Sequence, residues 1–304
     1  MRKLLASSAL VNVLLVAIIW AFEVFVAKLA FLAGAGVVTF TIQTYIVTFV
    51  FLLIYVLPIL KKIKKIPVNI LKQLMLANAL HNGFGGFFSY IGILLTSAIN
   101  AGFLLQFTTV TTSMMAWLFL KEKMTKSKVI TIIAIIIGTF FLITNGKLDI
   151  PHLGDLLILF ACLSWSLGNV IIRKNLKQSP VNPDIISFLR PIAGIPIQLF
   201  FVLLASLYPL AIQSTFKLSL LDFHYSFYVI IHGVLVGLLW IFLNRTLKLA
   251  SASYMTMMTS LTPILVAILA MVFLHESLTL IRWFGAVIII SSSIITQYLK
   301  IEKH

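Results

Sequence analysis

The stretch WAFEVFVAK, residues 20–28, places a carboxylate, Glu23, inside a run of apolar residues. An ionisable group is unfavourable in hydrocarbon, so such residues face a polar interior and mark binding or ion-coupling sites. Glu23 can hold a proton or a cationic group of a substrate, because apolar surroundings disfavour the bare carboxylate. The plainer alternative is a protonated acid hydrogen-bonded to a neighbouring helix. On a helical wheel Glu23 shares a face with Asn12, Val16, Ala27 and Ala30, which are small or polar enough to line a cavity. Lys28 lies roughly 140° further round the helix, too far to pair with Glu23 within it.

Other polar residues interrupt apolar runs. HNGFGG (81–86) offers His81 and Asn82 beside Gly83, Gly85 and Gly86, which permit close approach or a broken helix. His232 is expected to face the same cavity as His81 from the outer side. A histidine titrates near neutral pH, so a proton relay stands beside a hydrogen-bonded packing role. Trp20 and Trp165 should approach mid-depth from opposite sides, either stacking on a substrate or filling the core. Asn169, one turn beyond Trp165, can hydrogen-bond a ligand.

Gly102, Gln106, Thr109 and Ser113 form a stripe that recurs as Thr256, Ser260, Pro263 and Ala267. Such a stripe either lines a pore or lets helices close on each other. Pro263 removes a backbone donor and is expected to bend its helix as a gate. Tyr254, at the start of its apolar run, is a further candidate for substrate contact. Arg190 lies within about two turns of a membrane face, where snorkelling of its long side chain explains it. Glu122 and Glu276 immediately precede helix starts and are read as securing the turn and the helix N-terminus.

The elements that position these residues follow from composition. Apolar residues make up 61% of the 304 and charged residues 10%, against about 25% charged in a soluble domain. The apolar residues fall in long runs without strand alternation, and a helix needs roughly 20 of them to cross a bilayer. Ten spans result, near 8–31, 38–60, 73–95, 100–120, 127–145, 153–172, 184–207, 226–246, 251–273 and 280–299. The basic, apolar start could pass for a secretory signal, but the run continues to Phe31 and is read as an uncleaved first helix. The fold class is therefore an all-α integral membrane protein. The single cysteine, Cys162, permits no intrachain disulfide.

The net charge of +15 is placed by topology. Of the 23 lysines and arginines, only Lys147, Lys217 and Arg282 fall on outer loops, with Lys28 and Arg190 in or near spans; the rest lie at inner ends and loops. The positive-inside rule then puts both termini in the cytoplasm. The basic balance reports contact with anionic lipid heads in the bilayer rather than a nucleic-acid partner.

The chain carries its own near-copy. Glu276 stands 154 residues after Glu122, and at that offset Gly83, Phe88, Ser97, Ala98, Thr108, Ala116, Phe119, Leu120 and Thr125 also meet identical residues. Nearer the start of each half the offset is 145, pairing Trp20 with Trp165, Lys28 with Arg173 and Tyr45 with Arg190. The extra residues of the second half are placed in the loop at 212–226. Five spans is an odd number, so the second half must run in the opposite sense. The charges agree: Lys121, Lys123 and Lys126 become His275, Ser277 and Leu280. Inverted repeats are a transporter architecture with the substrate site near mid-membrane. The units are 8–145 and 152–299.

On these residues the chain resembles the drug/metabolite transporter superfamily, specifically its ten-helix proteins with two EamA-type domains. The resemblance covers about 8–299. It rests on Trp20 with Lys28, Trp165 with Arg173, the T-S-A and S-A-S turns at Thr96 and Ser251, and the Glu-x-x-Thr turns at Glu122 and Glu276. Pro263 and Arg190 fit family preferences where their first-half counterparts, Thr109 and Tyr45, do not. The resemblance implies export or exchange of small metabolites, amino acids or drugs. The superfamily's small multidrug members use a first-helix Glu to exchange protons for cationic drugs, and Glu23 is similar in position, although the larger members usually carry a neutral residue there.

The expected function is a secondary transporter in the cell membrane that binds a small molecule near Trp20, Glu23, His81, Trp165 and Asn169. Sparse intramembrane cations argue against nucleotide sugars and phosphate esters, leaving neutral or cationic amino acids, amines and drugs. A proton-coupled cation antiporter is the alternative within the superfamily. An intramembrane enzyme is the rival class, but Glu23 has no second carboxylate in a span, and the HES at 275–277 lacks the second histidine of a zinc motif. No metal, cofactor or ATP-binding loop is read. The oligomeric state is not legible.

Overall fold

The computed structural model describes residues 2–96, 98–207, 225–273, 275 and 277–298. The described residues fold into helices: α1 (Arg2–Leu32), α2 (Val37–Val56), α3 (Val68–Asn78), α4 (Gly86–Leu94), α5 (Ala98–Leu105), α6 (Phe107–Leu120), α7 (Lys126–Thr144), α8 (Leu153–Gln178), α9 (Pro183–Leu207), α10 (Ser226–Leu249), α11 (Ala252–Thr259), α12 (Thr262–Phe273) and α13 (Leu280–Tyr298). A 3-10 helix, Leu57–Lys65, extends α2, and a π-helical segment, Ala79–Gly85, joins α3 to α4. Among the described residues, nine helical stretches are long and apolar enough to cross a membrane. The expected third span is helical over Val68–Leu94 but falls outside that set. The loop at 212–226, apart from its last residues, and Glu276 and Ser97 lie outside the described residues.

Local chemistry sets the ends. The Thr125 hydroxyl accepts from the Lys128 amide at 3.2 Å and caps α7. Asp155 accepts from the His152 amide at 3.0 Å in a capping box that starts α8. Lys121 ends α6 at φ 55°, and His275, 154 residues later, takes φ 54° after α12. The two copies thus turn with the same left-handed residue, an uncommon backbone state outside glycine.

Packing repeats by exchange. α1 packs on α10 and α12 of the second half, while its counterpart α8 packs on α3, the π segment, α4, α5 and α6 of the first. The Thr108 hydroxyl lies 3.3 Å from Cys162 Sγ on α8, and the equivalent Thr262 hydroxyl lies 3.4 Å from the Ala17 carbonyl on α1. α7 and α13, also equivalents, cross with Gly138 against Gly285, and Asn145 at the end of α7 bonds Thr279 before α13. Residue numbers run in opposite directions along that crossing, so the equivalent helices are antiparallel. The first helix of each half is lodged among helices of the other, and the sequence halves are interleaved rather than side by side.

Two expectations need correction. Pro263 was expected to bend its helix. The ninth span does break after Thr259, and Pro263 sits in the first turn of α12. Yet the fourth span, with Thr109 where Pro263 stands, breaks at Gln106, 154 residues before Ser260. The discontinuity belongs to the architecture. Proline only shifts the short-turn bonding by one residue, from Thr109 N–H to the Gln106 carbonyl in the first copy to Ile264 N–H to the Leu261 carbonyl in the second.

Glu122, read as securing its own turn, instead reaches across the pseudo-axis. It accepts from the Ala252 amide at 3.2 Å and from the Ser253 hydroxyl at 2.7 Å, capping α11 of the other half. Lys128 lies 3.5 Å from the same carboxylate and is buried, so it is a paired cation rather than a loop charge. Arg173 is likewise buried, donating to the carbonyls of Leu247 and Lys248 at the end of α10.

The main core lies where α2, α3, α8, α9 and α10 meet, around Leu52, Leu74, Ile186 and Leu247. Large apolar side chains such as Ile54, Trp117 and Val287 point outward, as surfaces facing lipid require.

Candidate functional site

The α1–α10 seam brings Glu23 to His232, with Nε2 2.7 Å from Oε1. Both side chains are largely buried, at 17% and 6% exposure. The next residue, Gly233, has no side chain to hold α2 away: a Cβ there would come within 2.6 Å of Val47. The Thr48 hydroxyl donates to the Gly233 carbonyl at 2.9 Å and fixes the same turn. Phe40 stands edge-on to the imidazole at 4.8 Å between ring centres, beside an apolar cluster of Ala30, Tyr225 and Val229. An acid and an imidazole in such a seat can share one proton and exchange it with a ligand. The imidazole Nδ1 is buried without a hydrogen-bond partner.

His81 is placed elsewhere. It sits in the π segment, its ring 6.1 Å from that of Trp165 and its Nδ1 3.3 Å from Asn82 Oδ1. The two histidines therefore have different immediate partners, Trp165 and Asn82 for His81 and Glu23 for His232. The HNGFGG stretch is a π-helical turn rather than a broken helix. Such a turn displaces carbonyls from regular bonding, and neighbours use them: Ser164 donates to the Leu80 carbonyl at 2.8 Å and Gln198 to the Asn82 carbonyl at 2.7 Å. Gly85 gives the Trp165 indole its place, since a Cβ there would stand 2.6 Å from Nε1.

The two copies diverge at the acid. Gly168 is the counterpart of Glu23 and Asn78 that of His232, at the offsets of 145 and 154 residues. Gly168 packs directly on the chain around Asn78, where a Cβ would lie 2.6 Å from the Ala77 carbonyl and 2.8 Å from His81 Cβ. Asn78 is fully buried, and neither of its side-chain polar atoms has a partner. One seam carries an ionisable pair; its copy carries close backbone packing and an amide.

Arg190 does not snorkel. It is fully buried, its Nη2 donating to Asn244 Oδ1 at 2.8 Å and its guanidinium 5.9 Å from the Trp240 ring centre. Asn244 in turn donates to the Ser187 hydroxyl at 2.8 Å, and Ser187 donates to the Trp240 carbonyl at 3.0 Å. Asn169 is buried with Oδ1 unpartnered. Trp20 is half-buried against the main core.

The remaining candidates lie at seams. Gln106 occupies the N-cap position of α6 at the helix break, without a side-chain capping bond. The Thr109 hydroxyl donates to the Thr256 carbonyl at 3.3 Å, so the two polar stripes meet each other where α6 packs on α11. The Tyr254 hydroxyl donates to Gln297 on α13 at 2.6 Å. Sequence reasoning missed Asn78, Gln198 and Asn244, although each interrupts an apolar run as Glu23 does. The signal was present but weaker, since an amide is less unfavourable in hydrocarbon than a charge.

Among the described residues no group of three or more His, Cys, Asp and Glu side chains is placed to hold a metal ion. The profile of the EamA-like transporter family matches residues 7–144 and 152–298. The "Uncharacterized transporter YyaM" of Bacillus subtilis (strain 168) is 32% identical over 101 residues, which are 32% of this chain and 33% of that protein. The chain thus matches about a third of that relative's length. A solved structure described only as the crystal structure of a protein superposes with a TM-score of 0.75 at 14% identity, over 96% of this chain and 97% of its own. At that identity the likeness is one of fold.

Proposed function

This chain belongs to the EamA-like transporter family and is a multi-pass membrane transporter; from that premise we propose a secondary transporter that moves small metabolites, amino acids or drugs across the cytoplasmic membrane by alternating access. The polypeptide would cross ten times, with Val68–Leu94 as the polar third span and both termini in the cytoplasm. Support for the orientation comes from the turn with Lys121, Lys123 and Lys126, set against its copy with His275, Ser277 and Leu280, and from the cluster Lys61, Lys62, Lys64 and Lys65 after α2. Because α1 and α8 are exchanged between halves, the units that rock would be the mixed bundles and not 8–145 against 152–299.

The observation that carries the reading is the Glu23–His232 pair, an ionisable couple in one seam whose copy has Gly168 and Asn78. A proton held there on one side and released on the other would couple a pH gradient to solute movement. Trp20, His81, Trp165 and Asn169 would complete the substrate surroundings. The cation antiporter reading uses the same acid with a cationic substrate in place of the proton.

Counterflow in proteoliposomes tests the function. Vesicles loaded with one unlabelled solute from a panel of amino acids, amines and toxic cations should transiently accumulate the labelled form of that solute. If no member of such a panel is exchanged above protein-free vesicles, the transport reading of this interior fails.

A further inference from the structure

The interior holds a charge that proton coupling does not use. Arg190, in α9, is fully buried, and one of its nitrogens is committed to Asn244. Its Nε and Nη1 have no hydrogen-bond partner. Arg190 takes no part in the ion pairs that join Lys128 to Glu122, His232 to Glu23 and Arg245 to Asp184. A guanidinium does not shed its proton in a protein, and a buried charge without a counter-charge is strongly unfavourable. Packing alone gives no reason to keep it, since an apolar residue of similar size would fill the space.

The surroundings hold this guanidinium in place. Ser187, anchored on the Trp240 carbonyl, accepts from Asn244 and fixes the amide so that its oxygen faces Arg190. Trp240 covers the cation, and Tyr45, packed on Trp240 at 5.5 Å, lies within electrostatic reach of both Arg190 and Glu23. One turn along α9, Gly194 abuts Asn82 of the π segment. The free donors thus belong to the same interior as the residues assigned to the substrate.

We propose that Arg190 binds a carboxylate of the transported solute, which makes the substrate a small carboxylate-bearing molecule such as an amino acid rather than an amine. The assignment rests on the transport reading above and narrows it. A planar carboxylate matches guanidinium donors in shape and charge. A single buried cation suits one monoanionic group, whereas a phosphate dianion would call for more.

The test compares labelled α-amino acids with their amides and their decarboxylated amines, in counterflow and in thermal unfolding of the purified protein, with sodium chloride as a further arm. The acids should exchange and raise the melting temperature, while the amides and amines do neither. Arg190→Gln, which retains an amide for Asn244 to meet, should lower apparent affinity for the acids by about tenfold or more, the scale of one charge-assisted hydrogen bond. Arg190→Lys should keep part of it. Without solute, Arg190→Gln should be at least as stable as the parent protein, because it removes an uncompensated charge; a purely structural arginine would give the opposite sign. Exchange of amides or amines as fast as the acids overturns the carboxylate assignment and leaves transport standing. So does unchanged acid affinity in Arg190→Gln, or stabilisation by chloride equal to that by the acids. Absence of all exchange removes the transport reading and this assignment together.

Discussion

Glu23 Oε1 and His232 Nε2 meet at 2.7 Å across the α1–α10 seam, joining residues from opposite repeats. Neither helix can supply the pair alone. The carboxylate would be unfavourable on a lone span and the histidine unremarkable; together they form a buried acid–imidazole pair with Phe40 edge-on to the ring.

Glu23→Gln should abolish solute movement driven by a pH gradient and leave exchange at equal pH partly intact, because glutamine retains a hydrogen bond to His232 but cannot release a proton. Flux in proteoliposomes with and without an imposed gradient reads this directly. Gradient-driven flux at parental rate would remove Glu23 from coupling. The pair should also show in stability: a double-mutant cycle of Glu23→Gln and His232→Ala is expected to give a coupling of about 0.5–3 kcal/mol.

Gly168 carries a separate prediction. A Cβ there would stand 2.6 Å from the Ala77 carbonyl, and backbone cannot yield as a side chain can. Gly168→Ala should lower stability by about 1–3 kcal/mol and shift α8 from the π segment. An unchanged melting temperature would show that the seam is looser than its geometry.

Glu122 should behave as a bridge between repeats. Glu122→Ala removes the acceptor of the Ala252 amide and the Ser253 hydroxyl at the start of α11 and leaves the Ser251 cap in place. It also strands the buried Lys128, with an expected loss of about 1–3 kcal/mol. Lys128→Met added to it should recover part of the loss, since the stranded cation is then gone. If the double variant is no more stable than Glu122→Ala in thermal unfolding, the ion pair is not what holds Lys128 inside.

The inverted orientation is checked by labelling. Lys126 and His275, both exposed, stand in corresponding regions of the two repeats. With Cys162→Ser as background, Lys126→Cys and His275→Cys should react with an impermeant maleimide from opposite sides of the membrane. Equal reactivity from one side would show that the repeats are not inverted.

Much of this molecule is legible in one dimension. Spanning helices are local: hydropathy accumulates over about 20 residues regardless of neighbours, so expected and observed helices agree to within a few residues along most of the chain. The repeat is legible because Thr108 and Thr262, or Lys121 and His275, hold their spacing. Glu23 stood out because a charge is conspicuous in an apolar run.

Partners are another matter. Which face of α1 meets which face of α10 depends on small residues such as Gly233 and on shape across the whole bundle, and no local average contains it. Hence the contact of His232 with Glu23 is not legible in the sequence, which also places Glu122 at its own turn rather than on α11 and Arg190 at the membrane face rather than in the interior. Composition and charge spacing settled that there are membrane helices and where they lie along the chain; tertiary packing decided which polar groups face one another, because burial and pairing are properties of two surfaces and never of one.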